Sequence, residues 1–194
     1  MILSARFEDA LVYAARLHAT QVRKGSGVPY LTHLLGATAI ALQYGADEDQ
    51  AIAALLHDAV EDQGGKDRLE EIRIKFGERV AVIVAGCTDS WSEPKPPWRQ
   101  RKEAYLAHLH EVDRDVLLVS CADKIDNARS ILKDYRMVGE TLWKRFRGGK
   151  SGTLWYYRSL VGFFENVEAF PVGKELARVL SQIENLVAEG KNLP

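Results

Sequence analysis

The chain has 194 residues, of which 46% are hydrophobic and 27% are charged, a balance that excludes a disordered or disulfide-framed protein. Lys and Arg number 26 against 27 for Asp and Glu, so the net charge of -1 gives no electrostatic basis for a nucleic-acid-binding or membrane-surface protein. The 2 cysteines lie in apolar stretches, and no apolar run is long enough to cross a bilayer. These features predict a soluble, cytoplasmic protein.

Apolar residues recur at spacings of three and four along the chain, and period-two alternation is almost absent, which predicts an all-α fold. Ser4 is expected to cap a first helix that ends before the glycine turn at 23–29. A second helix is predicted from about Leu34 to Tyr44, ending at a glycine. A third follows the cap Asp47 through EDQAIAALLHDAVEDQ as far as Gly64.

The second half of the chain also reads as helices. Two amphipathic segments are divided near Gly77, and the proline-rich stretch SWSEPKPPW then interrupts the helical pattern. A helix from about Arg99 to His110 leads to the apolar run VLLVSCADKIDNARSILKDY, which we expect to be the most buried helix. A basic glycine-containing loop, an aromatic segment and a last helix from about Lys174 to Ala188 complete the pattern.

The segment LLHDAVEDQ carries the strongest chemical signal. On a continuous helix, at about 100° per residue, its polar side chains share one arc. They are His57, Asp58, Glu61 and Asp62. Because the rest of the segment is apolar, this arc brings charge toward the interior, where a cation should balance it. The alternative is the solvated end of an amphipathic helix, with His57 as a hydrogen-bonded core histidine.

Asp123 gives a second signal, since it follows the apolar run LLVSCA. On a helix it shares a face with Asn127 and Ser130. A carboxylate in such a position needs a metal ion or a basic partner. The alternative to a metal is an ion pair with Lys124 or Arg129.

A second imidazole, His33, follows the basic turn RKGSG. The candidate ligands are therefore His33, His57, Asp58 and Asp123. Two imidazoles and two carboxylates suit Mn²⁺, Fe²⁺, Zn²⁺ or a similar ion. Because the two carboxylates would neutralise a divalent charge, a phosphate substrate needs further cations, which Arg23, Lys24, Lys124 and Arg129 can supply. The alternative for the turn is ordinary solvated surface.

The order of these residues resembles that of the HD-domain phosphohydrolases. Within them, the motifs RKGSGVPYLTH, ALLHDAVED and SCADKIDNAR are similar to those of small alarmone hydrolases and of the hydrolase domain of RelA/SpoT-type proteins. The resemblance covers the chain from about Phe7 to about Tyr157. It implies an HD-domain helical bundle forming one domain over 1–194, with a metal core at about 20–135 and C-terminal helices at about 140–190 packed on it.

The same resemblance implies a manganese-dependent hydrolase that removes the 3′-pyrophosphate of (p)ppGpp-like nucleotides. It assigns the four candidate ligands to the metal, and Glu61 and Asp62 to the attacking water. It places around the nucleotide Arg23, Lys24, Tyr30, Asn127 and Ser130. The expected partner is this small nucleotide, with no nucleic acid or membrane, and the oligomeric state is not predicted.

The chain departs from many RelA/SpoT-type sequences in three places. Gly25 is an additional residue in the basic turn, and Gln63 stands where a threonine often follows the Glu-Asp pair. The stretch SWSEPKPPW also differs from the usual connection, which leaves the base and 5′-phosphate preferences open.

Two other functions stay open. One is an HD phosphohydrolase acting on another nucleotide, such as pppApp, a dNTP, a nucleoside 5′-phosphate or NADPH; the Arg-Lys turn favours a 3′-pyrophosphate over these. The other is a non-catalytic nucleotide sensor, which has little need of two carboxylates facing a polyanion. The aromatic segment TLWYYRSLVGFF is interpreted as core packing. The basic loop around Arg145 is interpreted as surface, with contact to 5′ phosphates as the alternative.

Overall fold

All regular structure in the described residues, 2–89 and 94–190 of a computed structural model, is helical apart from one isolated bridge between Val22 and Pro29. The all-α prediction is confirmed. Part of the stretch SWSEPKPPW, residues 90–93, lies outside the described residues. The α-helices are α1 Ala5–Leu17, α2 Leu31–Gln43, α3 Glu48–Leu56, α4 Ala59–Asp62, α5 Gly65–Phe76, α6 Glu78–Cys87, α7 Trp98–His108, α8 Arg114–Val138, α9 Gly149–Phe164 and α10 Pro171–Gly190. A 3-10 helix, Gly139–Arg145, joins α8 to α9.

Side-chain caps fix the starts of two helices as the sequence predicts. The Ser4 hydroxyl accepts a hydrogen bond from the backbone N–H of Arg6 at 3.2 Å, at the start of α1. At the start of α3, Asp47 and Gln50 form a reciprocal capping box, with each side chain bonded to the other's backbone N–H. Caps of this kind satisfy N–H groups that have no partner within the helix.

The predicted single helix from Asp47 to Gly64 is wrong, because the helix is interrupted between Leu56 and Ala59. At the break, the His57 ring bonds the Ala54 carbonyl through Nδ1 at 2.8 Å. A side chain that bonds a nearby backbone carbonyl competes with the helical hydrogen-bond ladder. On a straight helix the side chains of the neighbouring residues His57 and Asp58 would point about 100° apart around the helix axis. The interruption instead brings His57 Nε2 within 3.0 Å of Asp58 Oδ2.

Helix α8 lies at the centre of the packing and contacts α2, α3, α6 and α10. It carries a longer set of buried residues than the other described helices, as its apolar sequence predicts. Because α2 and α3 both pack against α8, the candidate ligands on α2, directly after α3 and on α8 are brought close together. No helix within 2–89 and 94–190 combines the length and apolarity needed to cross a bilayer.

Candidate active site

The four candidate ligands, which lie far apart in the sequence, converge at one buried point. His33 on α2 places Nε2 3.4 Å from Asp58 Oδ2 and 3.2 Å from Asp123 Oδ1. His57 at the α3–α4 break places Nε2 3.0 Å from Asp58 Oδ2 and 3.6 Å from Asp123 Oδ1. Both imidazoles are 2% exposed, so the cluster belongs to the core and not to a solvated helix end.

Both imidazoles are oriented from behind by a hydrogen bond at Nδ1. His33 Nδ1 bonds Asp126 Oδ2 at 2.7 Å, and His57 Nδ1 bonds the Ala54 carbonyl at 2.8 Å. With Nδ1 engaged, Nε2 of each ring faces the two carboxylates, the arrangement usual for metal-ligating histidines. Sequence reasoning missed Asp126, although it shares a helix face with Asp123 three residues earlier.

The carboxylates of the cluster are hydrogen-bonded as well. Tyr30 donates its hydroxyl to Asp58 Oδ2 at 2.6 Å. Asp123 accepts from Lys124 on Oδ2 and from the Asn127 amide on Oδ1. Lys124 therefore makes the ion pair that was the sequence-based alternative to a metal, but on the carboxylate oxygen that does not face the histidines.

The cluster perturbs the pKa values of its members. Burial disfavours the protonated imidazole of His33, but hydrogen bonds to Asp123, Asp126 and Asp58 outweigh it and raise the pKa of His33 to about 9. Burial alone would raise the pKa of Asp58, because it disfavours the anionic carboxylate. The charge of His57 and the contacts with both histidines outweigh burial and hold that pKa well below its usual range. The cluster therefore strongly favours anionic carboxylates beside a positive centre.

These residues fit a divalent metal ion. Nε2 of His57 is buried and makes no hydrogen bond of normal geometry, although Asp58 Oδ2 lies 3.0 Å away, so this nitrogen is available to a ligand. One ligand atom from each of His33, His57 and Asp58 lies within 4.8 Å of the others. Ligands about 2.1 Å from one ion stand roughly 3 to 4 Å apart, which matches the nitrogen–oxygen separations of the cluster. The donor set contains nitrogen and oxygen but no thiolate, as Mn²⁺ and similar ions accept.

A cavity of about 720 Å³ adjoins the cluster, and His33 forms part of its wall. Most of the residues predicted to surround a nucleotide line it. They are Arg23, Lys24, Tyr30, Lys124, Asn127 and Ser130. Arg23 donates to the side-chain amide oxygen Oδ1 of Asn127 at 2.8 Å, and its guanidinium lies 5.8 Å from the centre of the Tyr30 ring.

One predicted substrate contact is misplaced. Arg129 does not line the cavity, and its guanidinium pairs with Glu175 of α10 at 2.9 Å. At about 100° per residue, six positions after Asp123 correspond to about 240°, which turns Arg129 to another face of α8. The positive charge of Arg129 is suitable for binding a phosphate, but its position on α8 directs the side chain away from the cavity.

The two acidic residues of α4 have different surroundings. Asp62 lines the cavity, and its Oδ2 accepts a hydrogen bond from Gln21 at 2.7 Å. Glu61 is not part of the lining and pairs with Lys95 at 2.7 Å. The two carboxylates of α4 therefore have different surroundings, with Asp62 at the cavity and Glu61 at Lys95.

The cavity wall also includes residues that are interpreted from the sequence mainly as core, loop or surface, with phosphate contact only as the alternative for the loop around Arg145. Tyr156 and Tyr157 of the aromatic segment are buried, as core packing predicts, but they also face the cavity. Arg145, interpreted as surface, lines the cavity as well and pairs with Asp134 at 2.9 Å. Lys102 and Trp98 of α7 belong to the same wall. Their side chains reach it only through the tertiary packing of α7 and α9.

An all-α protein with a buried His/Asp cluster beside a basic cavity has the architecture of a helical metal-site domain. Residues 10–153 match the sequence profile of the HD domain family, and the chain belongs to that family.

Similar proteins extend this result. The chain is 37% identical over 126 residues to the guanosine-3′,5′-bis(diphosphate) 3′-pyrophosphohydrolase MESH1 of Danio rerio, covering 63% of this chain and 67% of the relative. It is 34% identical over 147 residues to the MESH1 protein of Drosophila melanogaster, covering 74% and 77%. A guanosine-3′,5′-bis(diphosphate) 3′-pyrophosphohydrolase of Aquifex aeolicus is 34% identical over 124 residues, covering 64% of this chain but only 17% of the relative.

A solved structure has the same fold. It is described as a metazoan ortholog of SpoT that hydrolyzes ppGpp and plays a role in starvation responses. It superposes with a TM-score of 0.77 at 26% sequence identity, covering 94% of this chain and 97% of that chain. The HD-domain fold predicted from the motifs is therefore confirmed.

Proposed function

We propose that this protein is a metal-dependent phosphohydrolase that removes the 3′-pyrophosphate from (p)ppGpp-like nucleotides. The observation that carries the proposal is the His33, His57, Asp58 and Asp123 cluster, which opens onto a basic cavity in a chain similar to named ppGpp 3′-pyrophosphohydrolases. The reaction breaks the bond between phosphorus and the ribose 3′ oxygen. Water adds to phosphorus, pyrophosphate leaves, and the ribose keeps a 3′-hydroxyl.

Those four side chains are proposed to hold the metal. Mn²⁺ is proposed as the physiological ion because the motifs resemble those of the manganese-dependent alarmone hydrolases, and the imidazole nitrogen and carboxylate oxygen donors are compatible with it. A divalent ion bound there supplies Lewis-acid charge and lowers the pKa of bound water. Asp126 and the Ala54 carbonyl hold the two imidazole rings in the orientation in which Nε2 faces the carboxylates. Tyr30 and Asn127 do the same for the carboxylates.

The basic wall of the cavity is proposed to bind the nucleotide. Arg23 and Lys24 supply cations for its phosphates, and the planar Arg23 guanidinium can also stack on a base. Asn127 and Ser130 offer hydrogen bonds one and two turns further along α8 from Asp123. Lys124, already bonded to Asp123, places an ammonium group between the metal ligands and the cavity.

Asp62 is proposed to accept the proton of the attacking water, because it is the acidic residue of α4 that lines the cavity. Glu61 remains the second acidic group of the proposal. Its ion pair with Lys95 must open before its carboxylate can reach a water in the cavity.

We also propose that residues 1–194 act as one domain in the cytoplasm, with the nucleotide as partner. The contacts of α10 with α8 and α9 support the C-terminal helices packing on the metal core. The balanced charge of the chain supports a small-molecule partner over a nucleic acid.

The decisive experiment measures pyrophosphate release from ppGpp, pppGpp and pppApp with Mn²⁺ by the wild type and by Asp58→Ala. We expect turnover of a guanine alarmone by the wild type, and a loss of about 10³-fold or more in the variant. Calorimetric titration with Mn²⁺ should show the same variant failing to bind the ion. Retained activity in Asp58→Ala would disprove the metal assignment, and an inactive wild type would leave the nucleotide sensor as the better description. Preferential turnover of pppApp would move the function to an adenine alarmone.

A further inference from the structure

A hydrogen-bonded network of polar side chains lies beside the His/Asp cluster and ends on Asp62. Gln21 Nε2 donates to Asp62 Oδ2 at 2.7 Å. Gln21 Oε1 accepts from Gln63 Nε2 at 2.7 Å and bonds His18 Nδ1, also at 2.7 Å. The network thus joins the end of α1, the following turn and the end of α4.

The two donors on Gln21 Oε1 fix the direction of the Gln21 amide. A side-chain amide has one oxygen acceptor and one NH₂ donor group. If this amide turned over, its NH₂ would face the Gln63 NH₂, and its oxygen would face the Asp62 carboxylate. Both contacts would be repulsive, so the observed orientation, with NH₂ toward Asp62, is the one the network allows. The His18 bond also requires the proton on Nδ1.

His18 connects this network to the metal cluster. Its ring is 2% exposed and stacks on Tyr30, with centroids 5.4 Å apart and an interplanar angle of 18°. Tyr30 in turn donates to the ligand Asp58. The same buried ring therefore contacts both Gln21 and Tyr30, so the network lies against the hydrogen-bond partner of a proposed metal ligand.

We infer that Gln21, held by His18 and Gln63, is a positioning residue that sets the orientation of the Asp62 carboxylate. This inference rests on the proposed function, in which Asp62 accepts the proton of the attacking water. The Gln21 N–H occupies Oδ2, and within the described residues no side chain bonds Oδ1. Oδ1 is therefore the oxygen available to the water, while Gln21 stops the carboxylate from rotating.

The test compares Gln21→Glu with Gln21→Leu in ppGpp hydrolysis. Gln21→Glu keeps oxygens that accept from His18 and Gln63 but replaces the donor to Asp62 with a repelling carboxylate. We expect kcat to fall by about 10- to 100-fold in both variants, because misplacing a catalytic group has a cost of this order. KM and Mn²⁺ affinity should stay within about 2-fold, since neither variant removes a metal ligand or a cavity cation. Gln182→Glu, the same change at an exposed site on α10, should match the wild type.

A second variant examines the orientation argument. Gln63→Leu leaves Gln21 in place but removes one of the contacts that hold its amide in this orientation, so a smaller fall in kcat is expected. The double variant Gln21→Leu/Gln63→Leu should be no slower than Gln21→Leu alone, because both changes act through one amide. A normal kcat in Gln21→Glu, or additive losses in the double variant, would overturn the inference while leaving the proposed function intact. A wild type unable to hydrolyse ppGpp would overturn the proposed function, and the inference with it.

Discussion

Asp126 is a residue whose role follows from a single contact, the 2.7 Å bond to His33 Nδ1. Partners of this kind fix the orientation and basicity of a ligating imidazole, and their loss typically weakens metal binding by about 10- to 100-fold. We therefore expect Asp126→Ala to reduce Mn²⁺ affinity by that factor in a calorimetric titration. Asp134→Ala is the matched control, because Asp134 lies on the same helix but pairs with Arg145. Equal affinities in the two variants would contradict the role given to Asp126.

The two acidic residues of α4 should differ in their effect on turnover. Asp62→Asn removes the proposed proton acceptor on the cavity wall, and general-base catalysis is typically worth about 10² to 10⁴ in rate. We expect a loss in that range in kcat for ppGpp. Glu61→Gln breaks the ion pair with Lys95, and its loss in kcat should be smaller. Measuring both variants at saturating substrate decides the matter, and a larger loss in Glu61→Gln would reverse the assignment.

At the scale of single residues, the candidate metal ligands are easier to predict from the sequence than the residues that hydrogen-bond to them and orient them. His33, His57, Asp58 and Asp123 could be selected because their chemistry and spacing are informative. The role of Asp126 could not, since it depends on α2 packing against α8. Arg129 has the charge expected of a phosphate ligand, but its position around α8 directs it to Glu175 of α10.

At the scale of helices, the close approach of α2 and α8 depends on Gly36. A Cβ atom at this position would lie 2.1 Å from Asp126 Oδ1, so Gly36→Ala must displace the carboxylate that orients His33. We expect this variant to lose Mn²⁺ affinity by about 10-fold or more, as when an orienting partner is removed. Gly162→Ala on α9 is the control, because nothing lies within 4 Å of its Cβ position. It should bind Mn²⁺ normally and gain about 0.5 to 1 kcal/mol in the free energy of unfolding. Unchanged Mn²⁺ affinity in Gly36→Ala would show that α2 moves aside at little cost.

Helix boundaries were predictable where they depend on local chemistry. The caps Ser4 and Asp47 are examples, because cap and capped N–H lie within a few residues. The break at His57 and Asp58 was not predictable, since the periodicity of the segment continues across it. At the break the His57 ring bonds the Ala54 carbonyl, in a site that is completed by residues of α2 and α8. Prediction from helical periodicity and caps therefore fails at the point where the chain forms its candidate active site.

At the scale of the whole molecule, the order of the motifs in the chain predicted the fold class and the convergence on one cluster. The residues of the cavity wall were harder to predict from the sequence, because α7 and α9 reach the cavity only through tertiary packing. Trp98, Tyr156 and Arg145 come from segments that the sequence describes as loop, core or surface. The specificity of the site therefore depends on packing between distant parts of the chain, and the sequence pattern carries little information about it.

The stability of the whole molecule should fall in acid through Asp89. This half-buried carboxylate pairs with Arg101 and Lys102, and so joins the end of α6 to α7, which carries part of the cavity wall. Burial would raise the pKa of Asp89, but the charges of Lys102 and Arg101 outweigh it and lower that pKa below its ordinary value. Because the folded-state pKa is the lower one, the stabilisation is fully present above the unfolded-state pKa, and it is lost as the pH falls through the folded-state value.

Urea unfolding of the wild type and of Asp89→Asn tests this linkage. Near pH 7 we expect the variant to be about 3 to 5 kcal/mol less stable, because it leaves two partly buried cations without their partner. The difference should shrink steadily below about pH 4, where the wild-type carboxylate also takes up a proton. Glu103→Gln on the exposed side of α7 provides the control, since its pair with Arg99 is solvated and should contribute less than about 1 kcal/mol at any pH. If the gap between the wild type and Asp89→Asn stayed constant from neutral to acid pH, Asp89 would not be the group that links acid to unfolding.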